Sequence, residues 1–373
     1  MASMRICDAM LPSLAAQFSA TTGQAARTIS AFALAYGILQ LFFGPLGDRY
    51  GKVRVIGLAT LTCTIASAAA AFAPSLDWLV VTRVLSGAAA AGIIPLTMAW
   101  IGDSVAYEGR QEVLARLLGA TVFGMICGQW LGGLVAEMLS WRAAFVMLAV
   151  IFLISGTMLA LHARDFASPR QADMGSVPRR VLNVFAEPWA RTVLLVTCTE
   201  GALAFSALAF IPSHLHATFN LSMPWAGAVV ALYGVGGLLY SRCARVLLGR
   251  FGEPGLATTG GVGLGIAFAT IAWAPSWQWT LPASLLAGFG FYALHNTLQT
   301  HATQMAPAVR GTAVSLFACV LFFGQSLGIL LAAWVVDTLS SSAVFASSGA
   351  GLLLLGGAFA YLIRQRNRQM PGG

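Results

Sequence analysis

Three charged residues stand where hydrocarbon is the expected surrounding. Asp8, Arg83 and Glu200 each fall inside a run of apolar residues, and ionisable groups at membrane depth are costly enough that they usually face a bundle interior and act there. A carboxyl group in that position is suited to taking up a proton on one side and releasing it on the other. Asp8 and Glu200 are therefore the candidate proton-coupling acids, and Glu200 could equally meet a cationic ligand. Arg5 precedes Asp8 at i, i+3, close enough to pair with it. Arg83, in the outer third of its run, can snorkel toward water or turn inward to influence Asp8 or bind an anion. Polar side chains one helical turn apart mark candidate cavity faces: Tyr36 with Gln40, and His295 with Gln299. Gln129 and Gln325 sit within two further runs, and interhelical hydrogen bonding explains such residues almost as well.

Other chemistry finds little support. His214 and His216 point to different sides of a helix, and His295 and His301 are six apart, so no metal site is expected. The six cysteines are scattered singly, without a CxxC or a pairing pattern. No Walker-type phosphate loop, nucleophile with base or cofactor motif is present, which argues against an enzyme, and no cofactor is expected.

Residues of this kind need a membrane bundle to position them. Of the 373 residues, 58% are hydrophobic and 9% charged, with a mean hydropathy of +0.79. That excludes a soluble globular protein. The net charge of +8 comes from short basic clusters at the ends of apolar runs, a pattern of membrane topology rather than of nucleic-acid binding. Twelve runs can be placed: a short one up to Phe18, then 28–47, 55–73, 78–100, 115–136 and 143–161, and after a gap 192–214, 226–248, 256–274, 281–303, 312–336 and 343–363.

The gap is rich in arginine (Arg164, Arg170, Arg179, Arg180, Arg191) and has almost no apolar periodicity, so it reads as an aqueous linker. The expected organisation is thus a six-helix bundle over 1–161, a cytoplasmic linker over 162–191, and a second six-helix bundle with a short basic tail over 192–373. With the linker inside, alternation places most of the 21 bases on the same face. This predicts a multi-pass protein of the cytoplasmic (inner) membrane with both termini cytoplasmic. Arg5 and Asp8 interrupt any cleavable signal core.

The two halves echo each other. Leu11-Pro12-Ser13 with Phe18 matches Ile211-Pro212-Ser213 with Phe219, and Asp48-Arg49-Tyr50-Gly51 faces Gly249-Arg250-Phe251-Gly252. Parallel repeats of six spans are used by secondary transporters, with the substrate site between the halves. The same alignment leaves the first span short by roughly ten residues, about 15 Å of helix, and predicts a start upstream.

Gly44-Pro45-Leu46-Gly47-Asp48-Arg49-Tyr50-Gly51-Lys52-Val53-Arg54 resembles the loop signature between spans two and three of the major facilitator superfamily. Arg83 ahead of Gly87, Trp141-Arg142 before span six and Arg310-Gly311 opening span eleven agree with it. The segment Asp8 to Pro12 is similar to the first span of the drug:proton antiporter branch. Gly124 to Gly133 is similar to an exporter signature of span five, with Gln129 in place of its proline.

The resemblance implies an all-α membrane protein of twelve helices in two pseudo-repeated bundles, its first helix short. It also implies a gate at Asp48, Arg49, Gly51, Lys52 and Arg310, in which Asp48 meets the start of span eleven at the helix N-terminus and lets go when the protein opens inward. The implied function is secondary active transport, with proton-coupled efflux of small amphipathic or apolar molecules. The expected partners are a small-molecule substrate, protons and membrane lipids, no nucleic acid, and the protein a monomer. Uptake or facilitated diffusion of a metabolite on the same fold is the alternative. A non-transporting membrane sensor or truncated homologue is the alternative of another class.

Overall fold

The computed structural model describes residues 1–162 and 177–369, and the described residues form helices and no strands. Nine helices among them are long and apolar enough to cross a membrane. One of the nine, Met223–Ala272, runs for 50 residues. At 1.5 Å per residue that is about 75 Å, far more than one bilayer crossing needs. It breaks at Gly252, whose φ of 65° and ψ of 177° only glycine adopts readily, and so supplies spans eight and nine. Thr280–Gln304, more polar because it carries His295, Asn296 and Gln299, is span ten. Short helices from Ala2 to Gln17 make up span one.

The remaining spans are Thr22–Tyr50 (two), Lys52–Ala71 (three), Leu76–Ser104 (four), Glu112–Met138 (five), Trp141–Leu161 (six), Pro188–Phe219 (seven), Arg310–Thr338 (eleven) and Ser341–Gln369 (twelve). Twelve helices in two sets of six is the architecture that the sequence predicts. Gly51, with φ 91°, makes the turn between spans two and three.

Two breaks follow from proline. Span one is helical at Ala2–Arg5 and Leu11–Gln17, with tight turns between, closed by Asp8 N–H to Arg5 carbonyl and Met10 N–H to Cys7 carbonyl, both 3.1 Å. Pro12 cannot donate to the carbonyl four residues back, which is that of Asp8 itself. Span four, read as continuous from the sequence, divides into Leu76–Ala90 and Ile93–Ser104; Pro95 has no N–H for the carbonyl of Ala91.

The linker departs from the sequence reading. Residues 163–176, with Arg164 and Arg170, lie outside the described residues. Val177–Ala186, however, is a helix, and span seven starts at Pro188 rather than 192. The apolar periodicity was too short to register: Val181 and Val184, one turn apart, turn inward, with Val184 fully buried. Pro188 fits the first turn of span seven, where no N–H is required.

The halves lean together at one end. Asp337 at the end of span eleven accepts from Thr21 Oγ1 at 2.6 Å and from the Gly23 N–H at 3.0 Å. Glu137 at the end of span five accepts from the Met223 N–H at 2.7 Å. Midway, Ser30 and Ser326 bond at 2.8 Å. At the Arg-rich end Gly44, Gly119, Gly249 and Gly311 are exposed, and a Cβ at any of them would meet nothing within 4 Å.

Candidate functional site

A cavity of about 270 Å³ lies between the halves. From the first half Arg5, Thr121, Met125 and Gln129 reach it; from the second, Phe205, Tyr233, Phe291, Tyr292, His295 and Gln299. Most of its wall is aromatic or aliphatic, with a few polar groups among them, a common composition for a small-molecule site.

Small residues let span five approach. A Cβ at Gly128 would run into the backbone of Ala2, one at Gly132 into the carbonyl of Ile6, and one at Gly133 into the carbonyl of Met223 across the interface. Span five therefore touches the first part of span one, from Met1 to Ile6, and presents Gln129 beside the Asp8 carboxyl.

Both candidate acids are fully buried, each held by a base on the cavity wall. Arg5 Nη1 donates to Asp8 Oδ2 at 3.3 Å, as the i, i+3 spacing predicts. The Arg5 guanidinium also lies 4.7 Å from the centre of the Phe205 ring, reaching from the first half into the second. Glu200 Oε2 is 2.9 Å from His295 Nδ1, and among the described residues Glu200 Oε1 has no partner. The His295 ring is stacked on Phe291 at 5.0 Å between centroids. His295 and Gln299, four apart on span ten, share the cavity face.

The other named residues lie elsewhere. Tyr36 is packed on Phe32 and edge-on to Phe322 across the interface. Gln40 is buried in span two, and Gln325 is fully buried in span eleven with neither amide atom bonded among the described residues. Arg83 does not snorkel. It is 1% exposed, donates to the Ser3 carbonyl at 2.7 Å, to Ser3 Oγ at 3.3 Å and to the Thr28 carbonyl at 3.4 Å, and sits 4.3 Å over the Phe32 ring. These contacts tie spans one, two and four.

In the loop signature, Asp48 pairs with Lys52 at 3.2 Å rather than with the start of span eleven, and Lys52 also binds Asp103 at 2.6 Å. Arg49 lies against the Tyr50 ring. Arg310 opens span eleven, beyond a short 3-10 turn, Pro307–Val309.

Sequence reasoning did not find Asp337, Glu137, Tyr233 or Tyr292. Asp337 and Glu137 are lone acids at span ends, and nothing in their own segments announces partners from the opposite half. Among the described residues no group of His, Cys, Asp and Glu has a metal-binding arrangement.

Two six-helix bundles joined across one end by the Asp337 and Glu137 contacts, with a mostly apolar cavity between them, have the architecture of a secondary transporter. The chain belongs to the Major Facilitator Superfamily, whose sequence model matches residues 1–328. It is 31% identical to the cephamycin export protein CmcT of Amycolatopsis lactamdurans over 68% of this chain and 49% of that protein. With the multi-drug resistance efflux pump PmrA homolog of Lactococcus lactis it shares 27% identity over 74% of this chain and 69% of the relative. The crystal structure of the nucleoside transporter NupG superposes with a TM-score of 0.75 at 14% identity, over 97% of this chain and 97% of that one. Against several curated relatives the chain spans only about half of their length, at 40%, 49% and 56%. The protein is a multi-pass membrane transporter of this superfamily, and the fold implies a small-molecule substrate.

Proposed function

We propose that this chain exports small amphipathic or apolar molecules in exchange for protons. One observation carries the reading: Asp8 and Glu200, one from each half, are fully buried, and each is held by a base that lines the same cavity. A proton arriving from outside neutralises either carboxylate and loosens its base. Arg5 or His295 then turns toward the cavity, and loss of the proton to the inside draws it back. Substrate leaves as the proton enters. The relatives described as export and efflux proteins support the direction.

In this reading the Arg-rich end is cytoplasmic, in an inner membrane with both termini inside, and the structure is the inward-facing state. Asp48 binds Lys52 here and reaches the start of span eleven when the inner ends close. A monomer holds the complete cavity.

Arg5 supports a second reading, uptake of an anionic metabolite, because a cation on the cavity wall can receive a substrate carboxylate when Asp8 is protonated.

The test is transport in proteoliposomes with an imposed pH gradient. Asp8→Asn and Glu200→Gln together should abolish gradient-driven flux while leaving substrate binding. Retained pH-driven flux in the double variant would refute proton coupling through these acids. Flux of organic anions following protons inward would favour uptake.

A further inference from the structure

The linker helix, Val177–Ala186, has three distinct faces. Val181 and Val184 turn to the bundle, packing with spans seven and eleven and with the turn Pro307–Val309. Leu182 and Phe185 are 68% and 42% exposed, and Pro178 is exposed beside them. At 100° per residue these three form one stripe, about a quarter turn from the buried valines. Arg179, Arg180 and Asn183, all exposed, occupy the remaining side.

Its depth is fixed by its neighbour. Only Glu187 separates the helix from Pro188, the first residue of span seven. The helix therefore lies at the level where span seven leaves the membrane, on the Arg-rich side. There its exposed apolar stripe meets hydrocarbon and its arginines meet headgroups.

From this geometry we infer that Val177–Ala186 is an interfacial helix, seated in the bilayer by Pro178, Leu182 and Phe185 and held by Arg179 and Arg180 to the phosphates of anionic lipids. Amphipathic helices with a cationic side bind in this way, by apolar area together with attraction to anionic lipid. Glu187, also exposed, is the one acid in 177–191 and opposes the attraction only at the helix end. Seating this helix also fixes the turn Pro307–Val309, against which it packs, and with it the start of span eleven. The bilayer thereby holds the inner end of the second half while the first moves.

The inference is independent of what is transported. A photo-reactive benzoylphenylalanine is placed at Leu182, Phe185 or Asn183 of the full chain. Each protein is reconstituted in vesicles of phosphatidylcholine alone or of phosphatidylcholine with phosphatidylglycerol, and adducts are identified by mass spectrometry. Lipid adducts should form at 182 and 185 and be several-fold fewer at 183. Near a charged surface each arginine contributes enough that R179Q/R180Q should lower the preference for phosphatidylglycerol about tenfold or more. That double variant leaves the apolar stripe intact, so adducts at 182 should persist in phosphatidylcholine and report a folded helix. Equal lipid yield at all three positions, adducts to protein in place of lipid, or an unchanged preference in R179Q/R180Q would overturn the inference.

Discussion

Replacing Asp337 by alanine tests whether the closure between the start of span two and the end of span eleven rests on specific polar contacts. The carboxylate accepts from Thr21 Oγ1 and from the Gly23 N–H, and both donors belong to the N-terminal end of span two, where an acid is favoured by the helix dipole. Buried, each bond to a charged acceptor would contribute about 1.5–3 kcal/mol. Asp337 is exposed, so water competes and the surface scale of about 0.2–1 kcal/mol per contact is the better guide. Adding about 0.3–1 kcal/mol for the helix end to two such contacts gives a loss of about 0.7–3 kcal/mol. At about 1.4 kcal/mol per factor of ten, the closed-to-open ratio at this end should fall about 3- to 140-fold.

The assay is pulsed electron paramagnetic resonance with spin labels at Gln17 and Leu339, both exposed at the closed end, in a chain without its native cysteines. Asp337→Ala should transfer population from the short to the long distance, and Asp337→Glu should retain part of the short one. An unchanged distribution in Asp337→Ala would refute the reasoning and leave backbone packing, such as Gly133 on Met223, as what closes this end.

Further outcomes follow from the same contacts. Gly132→Val should lower stability by about 1–3 kcal/mol, because the new side chain meets the Ile6 carbonyl. In the same thermal-shift measurement Gly119→Ala, with open space around it, should be neutral or slightly stabilising. Arg83→Met should cost about 1.5–3 kcal/mol through the lost bonds to Ser3 and Thr28. Lysine should not restore this by thermal shift, since one ammonium cannot serve the same fork of acceptors. Lys52→Met should release Asp48 for the start of span eleven, and spin labels at Tyr50 and Gly311, both exposed at the Arg-rich end, should then sample shorter distances.

The sequence made the local relations legible and hid the distant ones. Arg5 and Asp8 are three apart on one short segment, so their pairing follows from helix geometry. Gly51 stands in the loop signature, and Gly124, Gly128 and Gly132 recur every four residues in span five, so both are visible without the fold. Glu200 and His295 are 95 positions apart, and their pairing depends on how spans seven and ten pack, which no local pattern encodes. The same holds for Asp337 with Thr21. Tyr36 and Gln40 had the spacing of a cavity face, but the face they share is turned to span eleven, where Phe322 covers Tyr36. The linker helix escaped notice because ten residues allow only three turns, and a stripe of two valines is too short to read as a period. Pro12 was visible in the sequence as a helix breaker, yet only the folded chain shows that the carbonyl it frees belongs to the buried acid.

Lys52 is the single lysine among 373 residues, and two carboxylates hold its ammonium in this state. An amine-selective acylating dye therefore has one internal side chain to modify, and the ease of modification depends on whether those acids are engaged. The chain carries its own reporter of whether Asp48 and Asp103 are engaged, addressable by simple chemistry without altering a residue.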